Sequence, residues 1–175
     1  MKFRVLVLGL VVMALPAVAA ARDVTFKVYS IDATGIGAAI GIVRMVDGQA
    51  GLRLVPRLKG LSPGDHGFHI HVEPDCGAKP DATGKPAAGL AAGPHWDPDS
   101  SGKHLGPHGA GHKGDLPVLK VGPDGTAKTT VMIRRLKVAD VLNRSLMIHA
   151  GGDNYADQPA ALGGGGARIA CGVIR

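Results

Sequence analysis

Gly67-Phe68-His69-Ile70-His71-Val72 is the stretch that decides the fold of this 175-residue chain. Apolar and polar side chains alternate along it, which is typical of a β-strand, where residues two apart point to the same face. We therefore expect His69 and His71 to project together from one face, with the apolar residues on the other. Two imidazoles held side by side form half of a metal site. Such a pair also occurs by chance on strands, so this interpretation depends on further ligands downstream.

Further strand-like stretches flank this one and are bounded by turn residues. Residues 23–29 alternate apolar and polar side chains, and Asp47-Gly48 is a hairpin signal between residues 36–46 and 52–55. Strand-like sequence returns near the C-terminus in residues 126–136, 145–149 and 167–174. Turns about every 10–15 residues, with no helix-length periodicity, predict an all-β antiparallel sandwich or barrel.

Two long loops separate these strands. Residues 74–120 are rich in Gly, Pro, Ala and Asp, and we find no convincing strand there before Leu116. Loops of this length inside a domain are uncommon and usually functional. This one contains His95, His104, His108, His112 and Asp115. A bound metal could order the loop, whereas the alternative is a flexible linker. The second loop, residues 151–166, is rich in glycine but lacks the Gly-Lys-Ser/Thr of a phosphate loop.

The N-terminus has the three parts of a secretory signal peptide. Lys2 and Arg4 precede an apolar stretch, residues 5–15, and small residues follow it. We predict a signal peptide at residues 1–21, with cleavage near residues 19–21, and a mature domain at residues 22–175. The alternative is a retained membrane anchor. Export implies an oxidising compartment, which favours a disulfide between the only two cysteines, Cys76 and Cys171, over two free thiols.

The charge and the aromatic content argue against a nucleic-acid partner. Removal of the signal peptide lowers the formal charge from +6 to +4, because Lys2 and Arg4 are lost. The chain has only six aromatic residues, and no basic run interleaves with them to form a base-stacking surface. A mild positive excess is instead compatible with a small anionic substrate.

Five motifs, in order along the chain, resemble the copper/zinc superoxide dismutases. They are Gly67-Phe68-His69-Ile70-His71, Gly93-Pro94-His95-Trp96-Asp97-Pro98, Gly111-His112-Lys113-Gly114-Asp115-Leu116, Met147-Ile148-His149-Ala150-Gly151-Gly152-Asp153-Asn154 and Gly166-Ala167-Arg168-Ile169-Ala170-Cys171-Gly172-Val173-Ile174. The resemblance covers nearly the whole mature chain and is greatest to the exported bacterial branch. It implies an eight-stranded antiparallel Greek-key β-barrel or sandwich with two long functional loops.

The resemblance implies one copper ion and one zinc ion per chain. The implied copper ligands are His69, His71, His95 and His149. The implied zinc ligands are His95, His104, His112 and Asp115. His95 would bridge the two metals through its two ring nitrogens. All-nitrogen coordination suits Cu(II), whereas three imidazoles and one carboxylate can close a tetrahedral zinc site, so the chemistry agrees. Zinc binding at the loop alone is the alternative.

The resemblance also implies the activity, which is dismutation of superoxide to O₂ and H₂O₂ by cycling of copper between Cu(II) and Cu(I). His95 would carry a proton to the product, and Arg168 would guide the anionic substrate. Asp153 would span a copper histidine and a zinc histidine, here His69 and His104. A non-catalytic copper or zinc carrier on the same fold is the alternative function.

Location, assembly and the remaining polar residues complete these expectations. We expect an exported, periplasmic protein without stable membrane association, and a homodimer is compatible with the family. His66 matches a structural histidine, whereas His108 has no counterpart and is expected in solvent. Asn143 replaces a glycine found in many relatives, and asparagine tolerates the left-handed backbone that such a turn requires.

Overall fold

Antiparallel strands dominate residues 22–175, the part of the chain that the computed structural model describes. The predicted signal peptide, residues 1–21, lies outside the described residues. The strands are β1 (Asp23–Asp32), β2 (Gly35–Gly48), β3 (Gly51–Leu58), β4 (Gly64–His66), β5 (Phe68–His71), β6 (Lys79–Pro80), β7 (Pro86–Ala87), β8 (Leu119–Val121), β9 (Val131–Ile133), β10 (Arg144–His149) and β11 (Arg168–Ile174).

The helices are short and lie in connections. They are α1 (Val138–Val141) and two 3₁₀ turns, Leu90–Ala92 and Ala161–Gly164. None of the helices in the described residues is long and apolar enough to cross a membrane. The fold is therefore built from strands, as the turn spacing predicts.

Seven strands form one antiparallel sheet in the order β5-β10-β11-β1-β2-β3-β9, and β4 pairs with β8. Only Gly67 separates β4 from β5, so they form one strand that belongs to both sheets. An isolated bridge between Leu58 and Ala127 continues the pairing from β3 towards β8. Counting β4 and β5 as one strand and adding β8 gives the eight strands of the predicted barrel. The fold class is confirmed.

The β5 strand has the two faces that its sequence predicts. All four of its residues are buried, and Phe68 and Ile70 belong to the main apolar core. His69 and His71 are also fully buried, on the other face, where the long loop covers them. Burial of two imidazoles is unfavourable unless their nitrogens find partners, so this face requires polar groups from the loop.

Backbone pairing attaches the long loop to β5. The amide of Trp96 donates to the Ile70 carbonyl at 2.9 Å, and the amide of Ile70 donates to the Gly114 carbonyl at 2.9 Å. Bridges also join His71 to His95 and His69 to Asp115. A Cβ at residue 114 would overlap the Ile70 carbonyl oxygen, so only glycine allows this close approach.

Two local features refine the sequence-based expectations. The loop contains a small hairpin, β6 with β7, although we expected no strand before Leu116. Each of its strands is two residues long, too short to produce an apolar alternation. Asn143 has φ +56°, which confirms the left-handed turn expected there.

One disulfide joins Cys76, in the loop after β5, to Cys171 in β11. Both cysteines are buried, and no free cysteine remains among the described residues. The predicted disulfide is therefore confirmed. It ties the start of the long loop to the strand that carries Arg168, three residues before Cys171.

Replacement of both cysteines by serine should lower the free energy of unfolding by about 4 kcal/mol, because the bond closes a loop with a sequence separation of 95 residues. Urea denaturation of the metal-free protein measures this change. Unfolding free energies that agree within about 1 kcal/mol would contradict a major role for the crosslink.

Candidate metal centre

Four histidines from three parts of the chain converge on one point. His69 and His71 come from β5, His149 ends β10, and His95 comes from the long loop. One nitrogen from each ring lies within 4.8 Å of the others, and all four residues are buried. The structure thus brings together the four histidines that the resemblance assigns to copper.

Each of these rings has one nitrogen in contact with a polar group of the protein. Three of the rings have an N–H that donates to the protein: His69 Nε2 to Asp153 Oδ2 (2.7 Å), His71 Nδ1 to the Gly93 carbonyl (2.8 Å) and His149 Nδ1 to the Gly166 carbonyl (3.2 Å). These acceptors fix the tautomer and the orientation of the three rings, as is usual for metal-binding histidines. In the fourth ring, His95 Nδ1 lies 2.9 Å from Asp115 Oδ1.

The other nitrogen of each ring is buried and has no hydrogen-bond partner among the described residues. These atoms are His69 Nδ1, His71 Nε2, His95 Nε2 and His149 Nε2. Because buried polar side-chain atoms are nearly always satisfied, four orphaned lone pairs at one point indicate a ligand. Four imidazole nitrogens suit Cu(II), so the residues fit a copper ion.

Three rings of this group, those of His71, His95 and His149, are neutral at pH 7 because burial lowers their pKa values. Burial lowers the pKa of His149 to about 3. Burial also lowers the pKa of His95 to about 4, although the contact with Asp115 opposes this change. Burial also holds the pKa of His71 well below its usual range. A neutral ring keeps the lone pair that a metal requires.

A second group of ligand atoms adjoins the first and contains Asp115. Its carboxylate lies close to three imidazoles: Oδ1 is 2.9 Å from His95 Nδ1 and 3.4 Å from His112 Nδ1, and Oδ2 is 3.0 Å from His104 Nδ1. Three imidazoles and a carboxylate suit tetrahedral Zn²⁺. The four residues that the resemblance assigns to zinc are therefore brought together around Asp115.

One compact group of ligand atoms differs from this set by one residue. The ligand atoms of His69, His95, His104 and Asp115 all lie within 4.8 Å of one another, so His69 takes the place of His112 in this group. His69 has only Nδ1 free, and that atom also belongs to the four-histidine group. The Nδ1 of His112 is buried and lacks a hydrogen-bond partner among the described residues. One lone pair serves one metal, so His112 fits the fourth position of this group better than His69 does.

Electrostatics favour opposite charges in this second group. Burial alone would raise the pKa of Asp115, but its histidine neighbours lower it below the usual range. Burial alone would lower the pKa of His104, but Asp115 and Asp153 raise it to about 9. The group therefore holds a carboxylate in a buried place, where a cation compensates its charge.

Asp153 joins the two groups from the second loop. Its Oδ2 accepts from His69 Nε2 at 2.7 Å, and its Oδ1 accepts from His104 Nε2 at 2.8 Å. A Cβ at Gly163 would overlap the Asp153 Oδ1, and this glycine has φ +73°. The glycine run of the second loop thus allows close packing over the site, a role the sequence analysis did not assign to it.

Arg168 lies beside the four-histidine group. It pairs with His149 in the register of β10 and β11. Its Nη1 donates to the Gly89 carbonyl at 2.7 Å and its Nη2 to the Gly93 carbonyl at 2.8 Å. The Gly93 carbonyl also accepts from His71, so one oxygen links the guanidinium to the four-histidine group.

The remaining histidines separate into two kinds. His66 is buried, and its Nδ1 donates to the carbonyl of His149 at 2.6 Å, which fits the expected structural role. His108 is exposed, as expected. Sequence reasoning missed Asp157, whose carboxylate accepts from the backbone amides of His104 (2.9 Å) and Leu162 (3.3 Å) and so joins the two loops. A lone aspartate gives no signal in the sequence.

Comparison with known proteins agrees with this geometry. The family model for copper/zinc superoxide dismutase (SODC) matches residues 39–174. A superoxide dismutase [Cu-Zn] of Brucella abortus is 48% identical over 166 residues, which cover 94% of each chain.

Solved structures give the same result. A Cu/Zn superoxide dismutase from Brucella abortus has a TM-score of 0.86 and 46% identity, covering 88% of this chain and all of that one. The monomeric copper, zinc superoxide dismutase from Salmonella enterica has a TM-score of 0.79 and 48% identity, covering 89% of this chain and all of that one. This chain belongs to the copper/zinc superoxide dismutase family.

Proposed function

We propose that this protein dismutates superoxide, converting two superoxide anions and two protons into O₂ and H₂O₂. The observation that carries this proposal is the position of His95, which has one ring nitrogen in each ligand group. A copper ion supplies the one-electron redox chemistry, and zinc gives structural support. The family implies one ion of each per chain.

We assign the copper ligands to the four unpaired nitrogens, which are His69 Nδ1, His71 Nε2, His95 Nε2 and His149 Nε2. We assign the zinc ligands to the Nδ1 atoms of His95, His104 and His112 and to the carboxylate of Asp115. Burial of all these residues supports the assignment, because unpaired polar atoms away from water are costly.

His95 is the residue that we propose to carry a proton. Its Nε2 is buried and unpaired among the described residues, while its Nδ1 is held beside Asp115. A ring fixed through Nδ1 can bind and release a proton at Nε2 without changing its orientation. This arrangement suits delivery of a proton to a peroxide product at the four-histidine group.

Arg168 is the residue that we propose to bind the anionic substrate. Hydrogen bonds to the carbonyls of Gly89 and Gly93 fix the guanidinium of Arg168. Burial lowers the pKa of Arg168, but the usual pKa of an arginine lies far above 7, so the guanidinium stays charged. A fixed, permanently charged fork gives charge-assisted hydrogen bonds to a small anion. Superoxide carries one negative charge and fits this chemistry.

A carrier function is less well supported. A carrier requires ligands from which metal exchanges readily, whereas none of the seven proposed ligand residues is more than 8% exposed. Asp153 and the carbonyls of Gly93 and Gly166 also fix three rings of the copper group. A rigid, buried pair of sites with an adjacent arginine favours turnover over transfer.

The cellular context is also part of the proposal. The signal peptide at residues 1–21 and the Cys76–Cys171 disulfide support export, with the periplasm as the location and no nucleic-acid or membrane partner. A homodimer stays a prediction of the sequence analysis. The Salmonella enterica relative is described as monomeric, so sedimentation of the mature protein is the measurement that decides.

Substitution of His95 by alanine should lower the dismutation rate per copper ion by at least about 100-fold, because it removes the proposed proton carrier. It should also lower zinc content, because it removes a shared ligand. Superoxide-dependent reduction of cytochrome c and elemental analysis measure the two effects. His108→Ala, an exposed histidine of the same loop, is the matched control and should leave both unchanged.

Wild-type protein that binds zinc alone and remains inactive after copper reconstitution would overturn the enzyme proposal. That result would instead support a structural or carrier protein on this fold.

Substitution of Arg168 by alanine should lower kcat/KM for superoxide about 10- to 100-fold, because a hydrogen bond to a charged group contributes about 1.5–3 kcal/mol. Arg168→Lys should lose less, because it keeps the charge without the fork. Pulse radiolysis at increasing ionic strength measures the rate. An alanine variant with the wild-type rate and the wild-type salt dependence would show that another residue binds the anion.

A further inference from the structure

A single arginine outside the ligand groups contacts the loop that carries three of the proposed zinc ligands. We call residues 103–115 the ligand loop. The arginine is Arg135, which follows β9. The Arg135 Nη1 donates to the Gly109 carbonyl at 2.8 Å. Its Nη2 donates to the carbonyl of His112 at 2.7 Å and to that of Asp115 at 3.1 Å. Two of these carbonyls therefore belong to proposed zinc ligands.

Two more carbonyls of the ligand loop point towards the same nitrogen. Their oxygens lie 3.4 Å and 3.5 Å from Nη2 and belong to Gly106 and Lys113. Five carbonyl dipoles thus converge on one guanidinium. The loop is therefore folded around this side chain.

The ligand loop has little apolar packing of its own. It contains no strand and no helix in the described structure, and its one large apolar side chain, Leu105, is 42% exposed. Ordering a residue's backbone costs about 1–2 kcal/mol, so a loop without an apolar core depends on its polar contacts. Asp157 holds the loop at His104, and backbone pairing with β5 holds its end at Gly114 and Asp115. Arg135 is the side chain that contacts the carbonyls between Gly106 and Asp115.

The charge of Arg135 suits this position. Burial lowers the pKa of the half-buried guanidinium, while the carboxylate of Asp115 opposes that change. The guanidinium donates to the backbone of Asp115 and leaves its carboxylate free for the histidines. The planar fork reaches several carbonyls at once, which the single ammonium of a lysine does not.

We infer that Arg135 is a positioning residue that holds the ligand loop in its zinc-binding conformation before the metal arrives, and thereby sets the zinc affinity. The inference rests on the proposed zinc site. It requires no contact between Arg135 and the metal. The ligand loop is then already ordered when zinc binds, so little conformational entropy is lost on binding.

Metal binding to the purified, metal-free protein tests this inference. The probes are Zn²⁺, measured by competition with a chromophoric chelator, and Co²⁺, whose absorption reports its coordination geometry. Arg135→Ala should raise the zinc dissociation constant about 10- to 100-fold, the loss typical of groups that orient ligands. Arg135→Lys should raise it about tenfold.

The adjacent arginine provides a matched control. Arg134 is exposed and carries the same charge, so Arg134→Ala and Arg134→Lys should bind zinc within about twofold of wild type. At saturating Co²⁺, Arg135→Ala should show the wild-type spectrum, because the ligands are unchanged. Copper affinity should also stay within about threefold, because the ligand loop supplies no residue to the four-histidine group.

Three results would overturn the inference. They are a zinc dissociation constant for Arg135→Ala equal to that of Arg134→Ala, an altered Co²⁺ spectrum at saturation, and an equal loss of copper and zinc affinity, which would indicate general destabilisation. If Arg135→Ala does not fold, Arg135→Lys is compared with Arg134→Lys, and equal constants overturn the inference. Wild-type protein that binds no zinc would instead overturn the proposed function.

Discussion

The burial of six imidazoles in one cluster is the constraint on which the rest of this structure depends. Buried polar rings destabilise a protein unless their nitrogens find partners. The chain satisfies one nitrogen of His69, His71 and His149 with a carboxylate or a backbone carbonyl, and the other nitrogen of each ring has no partner among the described residues. The acceptors come from both long loops. The loops are therefore ordered by the histidines, and the histidines are oriented by the loops.

This mutual dependence explains why the parts of the site are crosslinked. Asp153 ties His69 to His104 and so couples the two ligand groups through the second loop. The disulfide fixes the long loop to β11, and Arg168 on that strand shares the Gly93 carbonyl with His71. A shift of the backbone at Gly93 would therefore disturb both His71 and Arg168.

The strongest local patterns in the sequence predicted the framework of the site. The alternation in β5 predicted the two faces of that strand from neighbouring residues alone. The left-handed turn at Asn143 was expected from the family resemblance, because many relatives have a glycine there. The β6–β7 hairpin was not predictable, since two-residue strands carry no period. Arg135 and Asp157 were missed for a different reason. Each acts on backbone groups far along the chain, and only the folded structure brings these together.

We propose that His95 joins the two metal sites, with one ring nitrogen for each metal. Anomalous X-ray scattering at the copper and zinc edges, from crystals of the metal-loaded protein, tests it most directly. We expect one copper peak bonded to His95 Nε2 and one zinc peak bonded to His95 Nδ1, with His112 on the zinc. A copper or zinc peak that is not bonded to His95, or a zinc bonded to His69 in place of His112, would contradict this proposal.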